Sequence, residues 1–332
     1  MGVRYIYTRE QLEQYFSRIS IPESKRVYSV SSLSDPDKLN FLDILQKHQL
    51  VKVPWENLTQ HYSWHRVINI RPTYLFKKIV TKPGVGGYCM EANYFFHLIL
   101  YNLGFDVYMA GSRIYHADTG RYGGWTHVVN IVTLGDKKYL LDGGMGPNGP
   151  HCPVPLEPGV TLTQVDPGRM RLDYEPIGQN LDRSQKIWVF KHSYDHTMEL
   201  EPVYCFTDLE FLPEDVESMN FEPMLDKQTF FTHKVVCVRF TTDKETDTEL
   251  GPGSPNEVAL EGEIDGSLAL NHDVLKWRRR GNKVLEIPLK TEEERLAALK
   301  RYFGISFEPE DIESIHGTAA QLGPVAKQGG PA

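Results

Sequence analysis

The chain has 332 residues, 40% of them hydrophobic, with 36 Lys and Arg against 44 Asp and Glu for a net charge of −8. That length can bury a sizeable core, and the acidic balance excludes nucleic-acid binding as the main business of the protein, since phosphate binding needs a basic excess. Residues 1 to 30 hold no signal-peptide core, no stretch approaches the roughly 18 apolar residues of a membrane span, and the cysteines at 89, 152, 205 and 237 show neither metal-ligand spacing nor a disulfide framework. A cytoplasmic protein with no metal, nucleic-acid or membrane partner is expected.

In chain order, Thr8-Arg9-Glu10-Gln11 has the capping-box pattern, and Leu12, Tyr15, Phe16 and Ile19 follow at helical spacing. A second helix starts near Ser34 to Pro36, carries Leu39, Leu42, Ile44 and Leu45, and runs to about His48 before Val53-Pro54 interrupts. Thr73 to Val80 reads as a short helix ended by Lys82-Pro83-Gly84. Residues 89 to 103 are apolar almost all round, the mark of a buried helix, with Gly104 as its C-cap. Beyond residue 105 the period drops to two. Strands are expected at 107–110, 112–115, 125–132, 139–142, 187–190, 203–206, 234–240, 260–264, 268–270 and 284–287, with no clear period in 143–182 and a polar loop at 241–258. Arg278, Arg279, Arg280 and Lys283 read as a solvated turn between two strands, with an anion-contact role as the alternative. Thr291 caps a last helix with the stripe Leu296, Leu299 and Phe303, Gly304 stops it, and 318–332 reads as a loose tail.

One residue carries the chemical signal. Gly86-Gly87-Tyr88-Cys89-Met90-Glu91-Ala92-Asn93 sets Cys89 between a glycine turn and the start of the buried helix, where the helix N-terminus favours a thiolate. A thiol with an ordinary pKa near ~8.5 still needs a base to act as a nucleophile at neutral pH. Among twelve histidines, His127 is best placed, inside the expected strand and on the face of Trp125, Val129 and Ile131. Leu134-Gly135-Asp136-Lys137 fits a two-residue type II′ hairpin, which sets Asp142 opposite Val129 and one diagonal step from His127. A one-residue slip would turn Asp142 to the other face. Cys89, His127 and Asp142 thus form a candidate triad in which imidazole activates sulfur and carboxylate orients imidazole. Cys152, Cys205 and Cys237 lack a comparable histidine and read as buried or incidental thiols. Trp55, Glu56 and Asn57 read as fixing a turn, Glu91 as a structural hydrogen-bonding partner, and His97 as packed.

Val53-Pro54-Trp55-Glu56-Asn57-Leu58, the glycine-cysteine motif, Trp125-Thr126-His127-Val128-Val129-Asn130 and Leu141-Asp142-Gly143-Gly144-Met145-Gly146 together resemble the arylamine N-acetyltransferase family, its fungal members above all, over residues 5 to 317. The resemblance implies an α+β fold with a cysteine-protease-like Cys-His-Asp core: a helical bundle carrying the nucleophile (1–104), a central antiparallel β-barrel domain with His127 and Asp142 (105–225), an α/β lid (226–317) and a tail (318–332). It implies Cys89 as acyl-accepting nucleophile, His127 as base and Asp142 as orienting acid, in two-step transfer from acetyl-CoA to arylamines or hydrazines, for detoxification of xenobiotics, with no permanently bound cofactor. Propionyl- and malonyl-CoA are alternative donors. Trp125 and Thr126 are expected to contact substrate, and Gly143, Gly144 and Gly146 either let coenzyme A approach the backbone or are plain turn glycines. The family carries arginine before the glycine pair, where this chain has Val85, so any ion pair made by that arginine is expected to be missing. A cysteine hydrolase or a non-catalytic binding module on the same scaffold are the competing readings.

Overall fold

Local signals set the first elements of the computed structural model, which describes residues 4–246 and 260–323. Helix α1 (Arg9–Arg18) opens with the capping box: Thr8 Oγ1 accepts from Gln11 N at 3.1 Å and Gln11 Oε1 accepts from Thr8 N at 2.9 Å. Ser34 caps α2 (Asp35–Lys52), which continues a turn beyond His48. A two-residue strand β1 (Trp55–Glu56), the short helices α3 (Leu58–His61) and α4 (Pro72–Thr81), and the long α5 (Cys89–Asn102) follow. Every residue of α5 from Cys89 to Leu100 is buried. Its end is a Schellman motif, with Gly104 N donating to Tyr101 O and Phe105 N to Leu100 O at 3.0 and 3.1 Å.

The chain then enters strands β2 (Asp106–His116), β3 (Arg121–Tyr122), β4 (His127–Leu134), β5 (Lys137–Leu141), β6 (Val154–Pro155), β7 (Thr161–Thr163), β8 (Arg169–Glu175), β9 (Ile187–Ser193) and β10 (Glu201–Phe211). They form one antiparallel sheet in the order β6-β5-β4-β2-β10-β9-β8-β7, with β3 paired to β2, curled into a half-barrel. Helices α6 (Pro213–Met219) and α7 (Phe221–Leu225) lead to β11 (Val236–Thr242), β12 (Ile264–Asn271), β13 (Val274–Arg279) and β14 (Asn282–Pro288), then to α8 (Glu292–Phe303) and α9 (Pro309–Glu313). This second sheet runs β1-β11-β12-β13-β14, all antiparallel.

Strand β4 explains how the layers share a core. Val128 and Val132 pack with the helices, whereas Val129 and Ile131 pack inside the half-barrel. Helix α8 covers the second sheet, with Leu299, Tyr302 and Phe303 against Leu268, Leu270 and Trp277. The α+β class and the change from helix to strand near residue 105 agree with the sequence pattern.

Several elements differ from expectation. The stretches 107–110 and 112–115 are one strand, because Gly111 continues the pleat beneath the Phe211 ring. Strands β6, β7 and β8 lie in the segment read as without period; β6 and β7 are too short to show alternation, whereas β8 does alternate, with Met170 and Leu172 turned inward, and is missing from the expected strands. Arg278 and Arg279 belong to β13, and only Arg280 and Gly281 make the turn. The strand expected from 260 starts at Ile264. Of the expected polar loop, Thr241 and Thr242 are a buried strand end, and 247–259 lie outside the described residues. The start of the expected tail is packed: Ala320 is buried and its carbonyl accepts from Arg295 Nη2 at 2.8 Å. Residues 324–332 lie outside the described residues.

Strand β1 joins the N-terminal helices to the C-terminal sheet, with Trp55 opposite Val238 and Glu56 opposite Cys237. Asn57 locks this junction. Its Nδ2 donates to Phe231 O and Lys234 O at 2.9 and 2.8 Å, and its Oδ1 accepts from Val236 N at 2.9 Å. Asn57→Ala strands these buried backbone groups, although His61 Nε2 lies within 3.1 Å of both carbonyls. The expected loss is about 2 kcal/mol in urea unfolding.

Candidate active site

Cys89 is the first residue of α5, and the turn before it is set by close backbone approach. A Cβ on Gly86 would lie 1.9 Å from Pro54 O, so only glycine fits there. Gly87 N donates to Pro54 O, and Glu56 N donates to Gly87 O, both at 3.2 Å, which pins the turn to β1. The thiol is 3% exposed, and its Sγ lies 3.7 Å from Thr126 O.

The hairpin register inferred from Gly135 and Asp136 is the one observed: Leu134 faces Lys137, Ile131 faces Leu140 and Asn130 faces Leu141. Gly135 has φ +61°, as a type II′ turn requires at its first central residue. Asp142 follows the last paired residue of β5. Its Oδ2 lies 2.7 Å from His127 Nε2, both side chains being fully buried. With Nε2 on the carboxylate, Nδ1 is the ring nitrogen left for the thiol.

Asn93, one helical turn after Cys89, completes the arrangement. Its Nδ2 donates to Asp142 Oδ1 at 2.8 Å and to Val128 O at 2.6 Å, while its Oδ1 accepts from Gly143 N at 2.7 Å. Gly144 N also donates to Asp142 Oδ1, at 2.8 Å, and the Tyr204 ring packs 5.3 Å from that of His127. A carboxylate held by an amide, a backbone N–H and an imidazole is fixed in position.

Burial would lower the His127 pKa, but the charge and hydrogen bond of Asp142, with a hydrogen bond to Cys89, raise it to about 10. Burial likewise disfavours the Asp142 carboxylate, yet His127, Asn93 and Gly144 together hold it below the usual carboxylate range. Other buried histidines move the opposite way. Burial takes His48, His61, His151 and His192 to about 4 and His97 to about 3. The remaining thiols are poor nucleophiles, since burial pushes Cys152 and Cys205 up to about 12 and Cys237 well above the usual thiol range. The raised imidazole stands beside the first residue of a helix, an arrangement able to activate a thiol.

The other expected site residues fall close by. Thr126 offers its carbonyl to the thiol, and Trp125, half-buried, lies between the Arg113 guanidinium at 3.8 Å and the Phe211 ring at 5.7 Å. Gly144 packs directly on Cys89, where an added Cβ would come within 2.6 Å of Cys89 Cα; Gly143 lies beside Asn93, and Gly146 beside the Trp55 ring. Asn93 was legible as a polar residue on the Cys89 face of an apolar helix, but its partners were not. Lys78 gave no signal at all. Its ammonium lies 3.2 Å from Glu56 Oε1 and 2.8 Å from Glu91 Oε1, all three side chains being buried.

A helix-borne cysteine meeting a histidine-aspartate pair on a curled sheet defines the cysteine-protease-like class of acyl-transfer scaffolds. The N-acetyltransferase family profile matches residues 38–247. N-malonyltransferase FDB2 of Fusarium pseudograminearum is 32% identical over 93% of this chain and 92% of its own length. Arylamine N-acetyltransferase 2 of Rattus norvegicus is 28% identical over 90% of this chain and 94% of its own. Among solved structures, Mycobacterium marinum arylamine N-acetyltransferase in complex with CoA superposes with a TM-score of 0.69 at 21% identity, covering 92% of this chain and 98% of the other. The chain belongs to the N-acetyltransferase family of acyltransferases.

The ion pair has a pH signature. His127 is held above its unfolded value of 6.5, so its contribution to stability is complete below that pH and is lost as pH rises through about 10. Asp142 is held below its unfolded value of 3.8, so its contribution is present above that pH and lost below it. The stability of the native protein over Asp142→Asn is therefore expected to peak between about pH 4 and 6.5 and to fade by about pH 10. Urea midpoints across this range check it; a difference that grows from pH 6.5 to pH 10 contradicts the pairing.

Proposed function

We propose that this protein transfers a short acyl group from an acyl-coenzyme A to an aromatic amine or hydrazine through an acyl-Cys89 intermediate. The observation that carries the reading is the His127-Asp142 pair with its raised imidazole pKa beside the thiol at the α5 N-terminus. His127 holds the Cys89 proton as an imidazolium while the thiolate attacks the thioester carbonyl; the coenzyme A sulfur leaves and receives that proton from His127, which becomes the free base for the second step. The amine nitrogen then attacks acyl-Cys89, His127 removes its extra proton, and the cleaved thiol is reprotonated. First-turn N–H groups of α5 serve the tetrahedral oxyanion. One thioester replaces another, so the acyl group stays activated until the amine arrives. Trp125 and Thr126 border the amine, and a cytoplasmic role on xenobiotic or plant-derived arylamines suits the reading.

A cavity of about 690 Å³ between the half-barrel loops and the second sheet suits the coenzyme. None of the triad lines it; Pro147 and Asn148, a few residues after Asp142 in the chain, are part of its lining. Lys276, Arg278 and Arg280 line its wall, and none has an ion-pair partner among the described residues. Asp195 also lines the cavity and Glu286 faces Lys276 across the β13–β14 ladder, yet the excess of cations on one wall fits the coenzyme phosphates. Gly143, Gly144 and Gly146 then keep the chain between cavity and thiol slim enough for the pantetheine arm.

For the donor, the FDB2 relative favours malonyl-CoA, with acetyl-CoA as the second reading. Intact mass after incubation with acetyl-, propionyl- and malonyl-CoA should show one acyl adduct, absent in Cys89→Ala, with turnover of a single arylamine ranking the donors. Coenzyme A release without amine product would make the protein a hydrolase, and no adduct from any donor would make it a binding module. Arg278→Gln with Arg280→Gln is expected to raise KM for acyl-CoA about tenfold or more, as loss of charge-assisted contacts does, and to leave KM for the amine unchanged.

A further inference from the structure

We propose that Lys78 supplies, from helix α4, the cation that the family motif places before the glycine pair, and that the buried Glu56-Lys78-Glu91 cluster makes it a positioning residue for the Cys89 turn. The sequence has Val85 at the motif position, and the Val85 side chain packs on the core of the C-terminal sheet. Lys78 lies seven residues earlier. It is 4% exposed, and both of its carboxylate partners are 0% exposed. An ammonium so buried is stable only when paired, and two carboxylates without it would repel each other across a low-dielectric gap. The two carboxylates lift Lys78 above the usual lysine range against the opposing effect of burial.

What the cluster holds is more informative than its charge. Glu56 Oε2 accepts from Leu58 N at 2.5 Å, and the Glu56 main chain donates to Gly87 O at 3.2 Å. Glu91 Oε2 accepts from Tyr88 N at 3.3 Å. Glu91 thus uses one oxygen on the Tyr88 N–H beside Cys89 and the other on Lys78, whereas Glu56 uses one on Leu58 N of its own segment and the other on Lys78, and reaches the Cys89 turn through its main chain. The ammonium ties β1 to the first turn of α5, and Gly87 and Tyr88, the two residues before the nucleophile, lie between these ties. Arg18 adds a second restraint from α1, donating to Ile79 O at 2.9 Å and Val85 O at 3.1 Å, so α4 and the turn are held to the same helix. A cation at position 85 would come from the turn itself; Lys78 makes the support depend on the docking of α4.

The inference rests on the reading of Cys89 as nucleophile, and its test includes a readout that does not. Lys78→Met, Lys78→Arg and the relocated pair Lys78→Met with Val85→Arg are compared with the native protein. Two rates are measured: single-turnover acylation, followed as coenzyme A release, and iodoacetamide alkylation of Cys89, followed by peptide mass. Displacement of a nucleophile by about 1 Å can cost on the order of a hundredfold, and a loss of that size in acylation is expected for Lys78→Met, with KM for the amine unchanged. Lys78→Arg should stay within about tenfold of native, and the relocated pair should recover at least about tenfold over Lys78→Met. If Lys78→Met does not fold, recovery of a folded, alkylatable protein by the relocated pair supports the same conclusion. Native acylation and alkylation rates in folded Lys78→Met overturn the proposal, as does a relocated pair no better than Lys78→Met in both rates. A native protein that alkylates at Cys89 but forms no acyl adduct overturns the acyltransferase reading instead, and the alkylation series still decides the role of Lys78.

Discussion

Asn93 fixes the one relationship on which the site depends, the placing of a helix against a sheet. Cys89 comes from α5, whereas His127 and Asp142 come from β4 and the end of β5, and no backbone ladder joins them. Buried amides make that join. The Asn93 side chain donates to Val128 O on β4 and to the Asp142 carboxylate and accepts from the Gly143 N–H, while Asn130 Nδ2 donates to the Asn93 main-chain carbonyl at 2.9 Å. Because each of these groups is buried, losing any partner leaves a polar atom in an apolar core, so the helix has one stable seat. Gly144, packed on Cys89, lets the two elements come that close.

The second organising tie is β1. By joining the edge of the C-terminal sheet while its backbone binds the Gly86-Gly87 turn, this two-residue strand connects the N-terminal helices, the nucleophile turn and the C-terminal sheet. Asn57 secures it on one side and the Glu56-Lys78 pair on the other. A strand so short has little stability of its own, and its place comes from side chains that satisfy buried backbone groups. Family membership and this geometry together narrow the chemistry to acyl transfer, while the donor is a matter for the residues around the thiol and the cavity beside it.

Elements with a strong local code were readable in advance. The capping box at Thr8, the proline break after α2, the all-apolar α5 and the Gly135 turn each carry their own physical signal. The hairpin mattered most, since register follows from turn geometry and register put Asp142 on the His127 face. Strands β6 and β7 were illegible because two or three residues cannot display alternation, whereas the seven residues of β8 do alternate and that signal was missed. Arg278 and Arg279 looked like a solvated turn because charge suggests exposure, whereas Arg279 pairs with Asp265 at 2.7 Å from within a strand.

The sequence alone determined where the nucleophile sits, which histidine and aspartate face one another, and that position 85 carries no charge. These depend on chain-local geometry: a helix start, a strand period and a two-residue turn. Tertiary structure decided that Asn93 seats the helix on the sheet, that Lys78 brings a cation to Glu56 and Glu91, and that Lys276, Arg278 and Arg280 share one cavity wall. The first two join residues from separate elements, and burial and ion pairing between elements are set by packing, to which sequence spacing is blind; the third follows the period of two along β13, and packing decides only which cavity that face lines.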